Sequence, residues 1–173
     1  GINHNKKFFR YSPYYPTYYE QIDTGYNYRM SDISAALGMS QLKNLKKFVK
    51  YRNYVAQIYK SLLKNMPLKF QFVLDRYVSS YHLFVIQLDK KRLKKNYNKI
   101  FSFLRKKGYF VNLHYKALHL NPLYKKFGFK KGQFPISEKY SESALSIPIY
   151  VGLNIKEIKK IVKTLKSIIE NKR

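Results

Sequence analysis

The 173 residues predict an α+β fold, a small and mostly antiparallel sheet with helices packed against it. Three observations carry that reading. Hydrophobic residues make up 45% of the chain, enough to build a core. Stretches of period two alternate with stretches of period near 3.6. From about residue 66 the order reads strand, strand, helix, strand, short helix, helix.

Residues 1–30 are aromatic and polar without helical period. Pro13 and Pro16 keep Tyr11–Pro16 out of a helix, so an ordered loop is expected, with one short strand near Tyr18–Ile22. Gly25 permits a turn. Ser31 reads as an N-cap and Asp32 as a first-turn carboxylate, opening a helix with a small-residue patch at Ser34, Ala35, Ala36 and Gly38. Leu45, Phe48, Val55, Ile58, Tyr59, Leu62 and Leu63 predict a second helix over 45–64, stopped by Asn65 and Pro67. Leu68, Phe70, Phe72 and Leu74 mark a half-buried strand.

Residues 81–89 are apolar at nearly every position, as in a strand buried on both faces, with His82 as a hydrogen-bonded core histidine. A helix is expected over 92–107, closed by Gly108. Residues 109–115 follow as a strand whose faces separate as Tyr109/Val111/Leu113/Tyr115 and Phe110/Asn112/His114. A short helix is expected within 134–145 and a strand end at 146–150. Asn154 and Glu157 form a capping-box signal, and the last helix should turn Ile155, Ile158, Ile161, Val162, Leu165, Ile168 and Ile169 inward.

The charge balance narrows function less than it first suggests. Thirty-five Lys+Arg stand against nine Asp+Glu, a formal net charge of +26, beside 18 Tyr and 12 Phe. Such a mixture suits nucleic acid. The basic residues are mostly lysine, however, and they are scattered, as in an AT-rich coding bias with solvated lysine faces. A dedicated phosphate-binding face would cluster its charge and favour arginine. With no cysteine there is no disulfide and no thiol catalysis. No apolar run reaches the length of a membrane span and no signal-peptide pattern opens the chain, so a cytoplasmic location is expected. The chain opens on Gly1-Ile2-Asn3-His4 rather than Met, so a fragment or a processed chain is expected.

Two segments concentrate polar groups at the edges of elements. Residues 25–32 bring an amide, Asn27, and a guanidinium, Arg29, to the start of a helix, where an anion is favoured. Residues 113–122 carry His114, Tyr115 and His119 where a strand empties into a loop, a setting suited to a sugar or nucleobase. His114 and His119 lie five apart without a third ligand, so no metal is expected.

The stretch Gly25-Tyr26-Asn27-Tyr28-Arg29-Met30-Ser31-Asp32-Ile33-Ser34-Ala35-Ala36-Leu37-Gly38 closely resembles a characteristic segment of the DegT/DnrJ/StrS sugar aminotransferases. Ser40-Gln41-Leu42, Tyr81-His82-Leu83-Phe84, His114-Tyr115-Lys116-Ala117-Leu118-His119 and Ser146-Ile147-Pro148-Ile149-Tyr150 follow in the family's order. Ala117 and Val151 stand where the family usually has proline. Within the family the chain is most similar to the PseC-like transaminases, which aminate a UDP-linked 4-keto-6-deoxy sugar in pseudaminic acid synthesis.

The resemblance implies a fold-type-I enzyme dependent on pyridoxal 5'-phosphate (PLP), with glutamate as amino donor and a nucleotide sugar as acceptor. It implies that residues 1–43 are the tail of the large PLP-binding domain with its crossing helix, and 44–173 the small C-terminal domain. No lysine here sits in the family's Schiff-base context, so the chain alone is expected to be inactive, its cofactor held mainly by a missing N-terminal part. By motif position, Asn27 would reach the PLP phosphate of the partner subunit, Arg29 the phosphate or substrate, and His114, Tyr115 and His119 the nucleotide sugar. The implied partners are a second copy or the missing portion, not a membrane or nucleic acid. A basic nucleic-acid-binding module and a non-catalytic remnant are the alternatives.

Overall fold

The computed structural model describes residues 2–3, 5–10, 18–26, 28–93 and 96–170, with the side chains of Ile2 and Asn3 excepted. The expected loop over Tyr11–Pro16 lies outside the described residues. The chain forms two compact units, Gly1–Asn44 and Leu45–Arg173.

In the first unit, β1 (Ile2–Asn3) pairs antiparallel with β2 (Glu20–Gln21), inside the expected strand region. Glu20 is buried, and its carboxylate accepts from the Arg10 N–H at 2.8 Å and the Tyr18 hydroxyl at 3.1 Å. Helix α1 (Asp32–Leu63) begins here. The Ser31 hydroxyl accepts from the Ser34 N–H at 3.3 Å, the N-cap bond expected of it.

The helix expected to open at Ser31 and the one expected over 45–64 are one. Nothing between them breaks a helix: there is no proline, and the lone Gly38 costs only about 1 kcal/mol relative to alanine. The 32 residues extend about 48 Å. Within the second unit α1 buries Val55, Ala56, Tyr59 and Leu63 at successive turns.

The second unit is built on a three-stranded antiparallel sheet ordered β3 (Leu68–Phe70), β4 (Phe84–Leu88), β5 (Ala144–Ile147). Leu68 faces Leu88, and Phe84 faces Ile147. Phe84, Ile86 and Leu88 are buried while Val85 and Gln87 are half-buried, so β4 alternates rather than being buried on both faces. His82 precedes the strand and is exposed; it is not a core histidine. Its carbonyl accepts from Arg52 Nη1 at 3.0 Å. Tyr59 stacks on Phe84 at 5.2 Å and donates its hydroxyl to the Pro148 carbonyl at 2.9 Å, and burial pushes that hydroxyl's pKa up.

Helix α2 (Tyr97–Lys106) is shorter than expected at its start because the Asn96 side chain caps it, accepting from the Asn98 N–H at 2.7 Å. It ends in a Schellman motif: Tyr109 N–H donates to the Leu104 carbonyl, Gly108 N–H to Arg105, and Gly108 holds φ +84°. The strand expected over 109–115 is reduced to one antiparallel bridge, Asn112 to Ser146. In that register residue 110 would face Pro148, which has no N–H to give. Val111 is buried and Phe110 exposed, so the side-chain alternation survives without the ladder.

Short helices α3 (Pro122–Lys126) and α4 (Pro135–Ser141) lead to β5. Helix α5 (Ile155–Glu170) buries Ile158, Ile161, Val162, Leu165, Ile168 and Ile169, whereas Ile155 stays exposed on its first turn. The capping box forms reciprocally. Glu157 N–H donates to Asn154 Oδ1 at 2.9 Å, and Asn154 N–H to Glu157 Oε2 at 3.2 Å. Asn154→Ala is expected to cost about 1 kcal/mol in urea unfolding with an unchanged m-value.

Candidate functional site

Most of the acids serve the fold. Asp23 accepts from the Thr24 N–H, Asp89 from the Lys91 N–H, and Glu157 from the Asn154 N–H. Glu142 pairs with Lys90 at 2.6 Å on the surface, and the Lys90 ammonium holds its carboxyl below the usual carboxylate range. The residues with spare chemistry gather where the Asn112 bridge meets β5.

His114 Nδ1 lies 2.8 Å from Ser146 Oγ, and Asn112 Nδ2 lies 3.5 Å from His114 Nε2. Asn112 and Ser146 also exchange backbone hydrogen bonds, 3.2 and 2.8 Å. The bridge thereby fixes the backbone from which the imidazole projects. On the far side of the segment, the Tyr140 hydroxyl of α4 donates to the His114 carbonyl at 2.8 Å.

His114 lines a cleft of about 600 Å³, together with His82, Asn112, Ser146, Tyr150 and Lys160. The lining offers hydroxyls, an amide, imidazoles, one lysine and the Glu157 carboxylate that caps α5, over an apolar floor from β5 and α5. Such a set suits a polar ligand with aromatic or sugar surface better than a purely apolar one.

The other expected site residues fall elsewhere. Tyr115 is exposed, its ring edge-on to His114 at 4.8 Å, and it does not line the cleft. His119 is buried, at 7% exposure, and its Nε2 lies 2.8 Å from Glu138 Oε1 on α4. Arg29 is exposed, two residues before the α1 cap, and belongs to the first unit. Asn27 lies outside the described residues.

Glu138 is a polar knot inside the second unit. Its Oε1 also accepts from the Gly132 N–H at 2.7 Å and the Phe134 N–H at 3.4 Å. Burial alone would raise its pKa, but the hydrogen bonds from His119, Gly132 and Phe134 outweigh it and hold the carboxyl below the ordinary range. Helix α4 thus grips both ends of residues 114–119: Tyr140 at His114, Glu138 at His119. Because the folded pKa is depressed, this contribution to stability is present above the ordinary carboxyl pKa and lost as pH falls through the folded value. In urea melts between pH 7 and pH 3, Glu138→Gln is expected to be less stable than the parent at neutral pH, with the gap closing in acid.

The sequence does not mark Ser146, Asn112, Tyr140 or Glu138 as site residues. Asn112 carried a signal, since it shares a strand face with His114. Glu138 carried none, because its partner lies 19 residues away.

Residues 4–166 match the DegT/DnrJ/EryC1/StrS aminotransferase family. The chain is 35% identical over 166 residues to the uncharacterized protein MJ1066 of Methanocaldococcus jannaschii, covering 95% of this chain and 43% of that protein. It is 30% identical to the spore coat polysaccharide biosynthesis protein SpsC of Bacillus subtilis, covering 93% and 42%. Among solved structures it is similar to Helicobacter pylori PseC, an aminotransferase involved in pseudaminic acid biosynthesis. There the identity is 27%, the TM-score 0.79, and the coverage 88% of this chain and 41% of that one. The chain spans about two fifths of the length of the curated relatives it matches.

Proposed function

Because the chain belongs to the DegT/DnrJ/EryC1/StrS aminotransferase family, we propose that it supplies the C-terminal portion of a PLP-dependent sugar aminotransferase. The reaction proposed is amino transfer from glutamate to a UDP-linked 4-keto-6-deoxy sugar, on a route to a surface polysaccharide or to the pseudaminic acid of a flagellin glycan. The observation that carries the reading is the match over residues 4–166, a span that includes the His114 segment and the residues lining its cleft. Relatives named for spore coat polysaccharide and pseudaminic acid synthesis support a sugar acceptor.

The described residues fit one edge of a cofactor phosphate site. Arg29 offers an exposed guanidinium, and the first turn of α1 offers backbone N–H groups at the positive end of a long helix. Bound PLP supplies the electron sink for amino transfer. In this reading Asn27 binds its phosphate, Arg29 the phosphate or the substrate, His114 meets the nucleotide sugar from the cleft with Tyr115 packed edge-on against it, and His119 belongs to the same substrate segment. The covalent lysine comes from sequence outside these residues, so the 173-residue chain has no transaminase activity by itself.

The test is absorbance titration of the purified chain with PLP, followed by borohydride reduction. The expected result is no visible band that depends on one particular lysine. A band lost on a single lysine substitution would contradict the assignment of the anchor to another segment.

A further inference from the structure

The geometry around His114 sets which of its ring nitrogens carries the proton, and so which kind of ligand group it can take. Leu113 N–H donates to Asn112 Oδ1 at 2.9 Å. That bond orients the amide, because the reverse placement would set an N–H against an N–H. The Asn112 Nδ2 group therefore points at His114 Nε2, 3.5 Å away. An amide nitrogen only donates, so Nε2 is the unprotonated, accepting nitrogen. Nδ1 then carries the proton and donates to Ser146 Oγ at 2.8 Å.

We infer that Asn112 and Ser146 lock the neutral His114 as its Nδ1–H tautomer, so that Nε2 accepts a hydrogen bond from a neutral donor of the ligand, a hydroxyl or an imide N–H. The Nδ1–H form is the less favoured tautomer of a free histidine side chain in water, so the network has to impose it. The contact from Asn112 is at the long limit for a hydrogen bond, which leaves the Nε2 lone pair open to a better donor. His114 lines the cleft, and its other nitrogen is already committed to Ser146. A lone pair presented this way repels an anion and selects a donor. Asn112 and Ser146 are therefore positioning residues for His114. The ligand half of this inference rests on the nucleotide-sugar reading proposed above, and the tautomer does not.

The experiment is two-bond ¹H–¹⁵N correlation of the imidazoles in the full 173-residue chain at pH 8, above the ordinary histidine range of about 6.5. The four histidines are assigned by substitution. His114 should show a protonated Nδ1 and a bare Nε2. Ser146→Ala should return it toward the Nε2–H form, and Asn112→Asp, which replaces the donor with an acceptor, should do the same by a different route. An Nε2–H pattern in the parent, or an unchanged pattern in both folded variants, would overturn the tautomer.

Three probes then read the ligand class: uridine, UDP-N-acetylglucosamine and inorganic pyrophosphate. A shift of His114 Nε2 with uridine assigns the donor to the nucleoside, its imide N–H or a ribose hydroxyl, and one only with the nucleotide sugar assigns it to the sugar. A shift with pyrophosphate alone would overturn the donor class. No response to any probe would overturn the nucleotide-sugar reading of the cleft while leaving the tautomer standing.

Discussion

Phe84→Ala is expected to lower the unfolding free energy of the Leu45–Arg173 unit by about 3–5 kcal/mol. Phe84 is 2% exposed at the start of the central strand. Its ring meets Tyr59 at 5.2 Å, Tyr81 at 5.9 Å and Phe70 at 6.0 Å. Removing it empties the point where α1, β3 and the approach to β4 converge, and it forfeits three ring pairs as well as apolar burial. Its backbone pairs with Ile147, one residue beyond Ser146, so loosening this site also loosens the strand that holds His114. Urea unfolding followed by circular dichroism reads the effect. A loss below about 1.5 kcal/mol would mean that the site collapses around the gap and that the aromatic cluster does not organise the core.

The second large effect concerns the proposed activity. In an assembled enzyme containing this chain, His114→Ala is expected to lower kcat/KM for the nucleotide sugar about 5- to 150-fold. That is the range for losing one hydrogen bond that leaves a ligand donor unpaired, about 1–3 kcal/mol. His119→Ala should behave differently. His119 is buried against Glu138, so its loss should lower stability first, with activity following the fraction folded. Comparing both variants at equal folded fraction separates them.

Parts of this architecture were legible because local chemistry decided them. Asn154 and Glu157 announced α5, its isoleucines marked the buried face, and Gly108 marked the end of α2 through its need for positive φ. Ser31 announced the start of α1. What was not legible depended on distant partners. Whether residues 109–115 ladder onto β5 depended on distant side chains: Pro148 denies residue 110 a partner N–H, and at the other end the Tyr140 and Tyr97 hydroxyls donate to the carbonyls of His114 and Ala144. His82 looked like a core residue because its neighbours are apolar, but the half-buried second face of β4 leaves the segment before it open.

The site divides along the same line. His114 was recognisable by motif position, and the structure adds the cleft and the Ser146 contact. His119 shares that motif, yet its tie to Glu138 could not be read from sequence, because the two are joined only by the fold of 120–137. The lysine excess remains mostly solvated surface. Among the described residues only Lys90 and Lys131 pair with an acid, and both use Glu142.

The most direct test is reconstitution: this chain combined with the N-terminal portion of a relative such as Helicobacter pylori PseC, assayed with PLP, ¹⁵N-glutamate and a UDP-linked 4-keto-6-deoxy sugar. The account predicts label in the sugar only when both portions are present, and a marked fall with His114→Ala. Transfer by the 173-residue chain alone would contradict it. So would an assembled, PLP-loaded combination that leaves the sugar unlabelled.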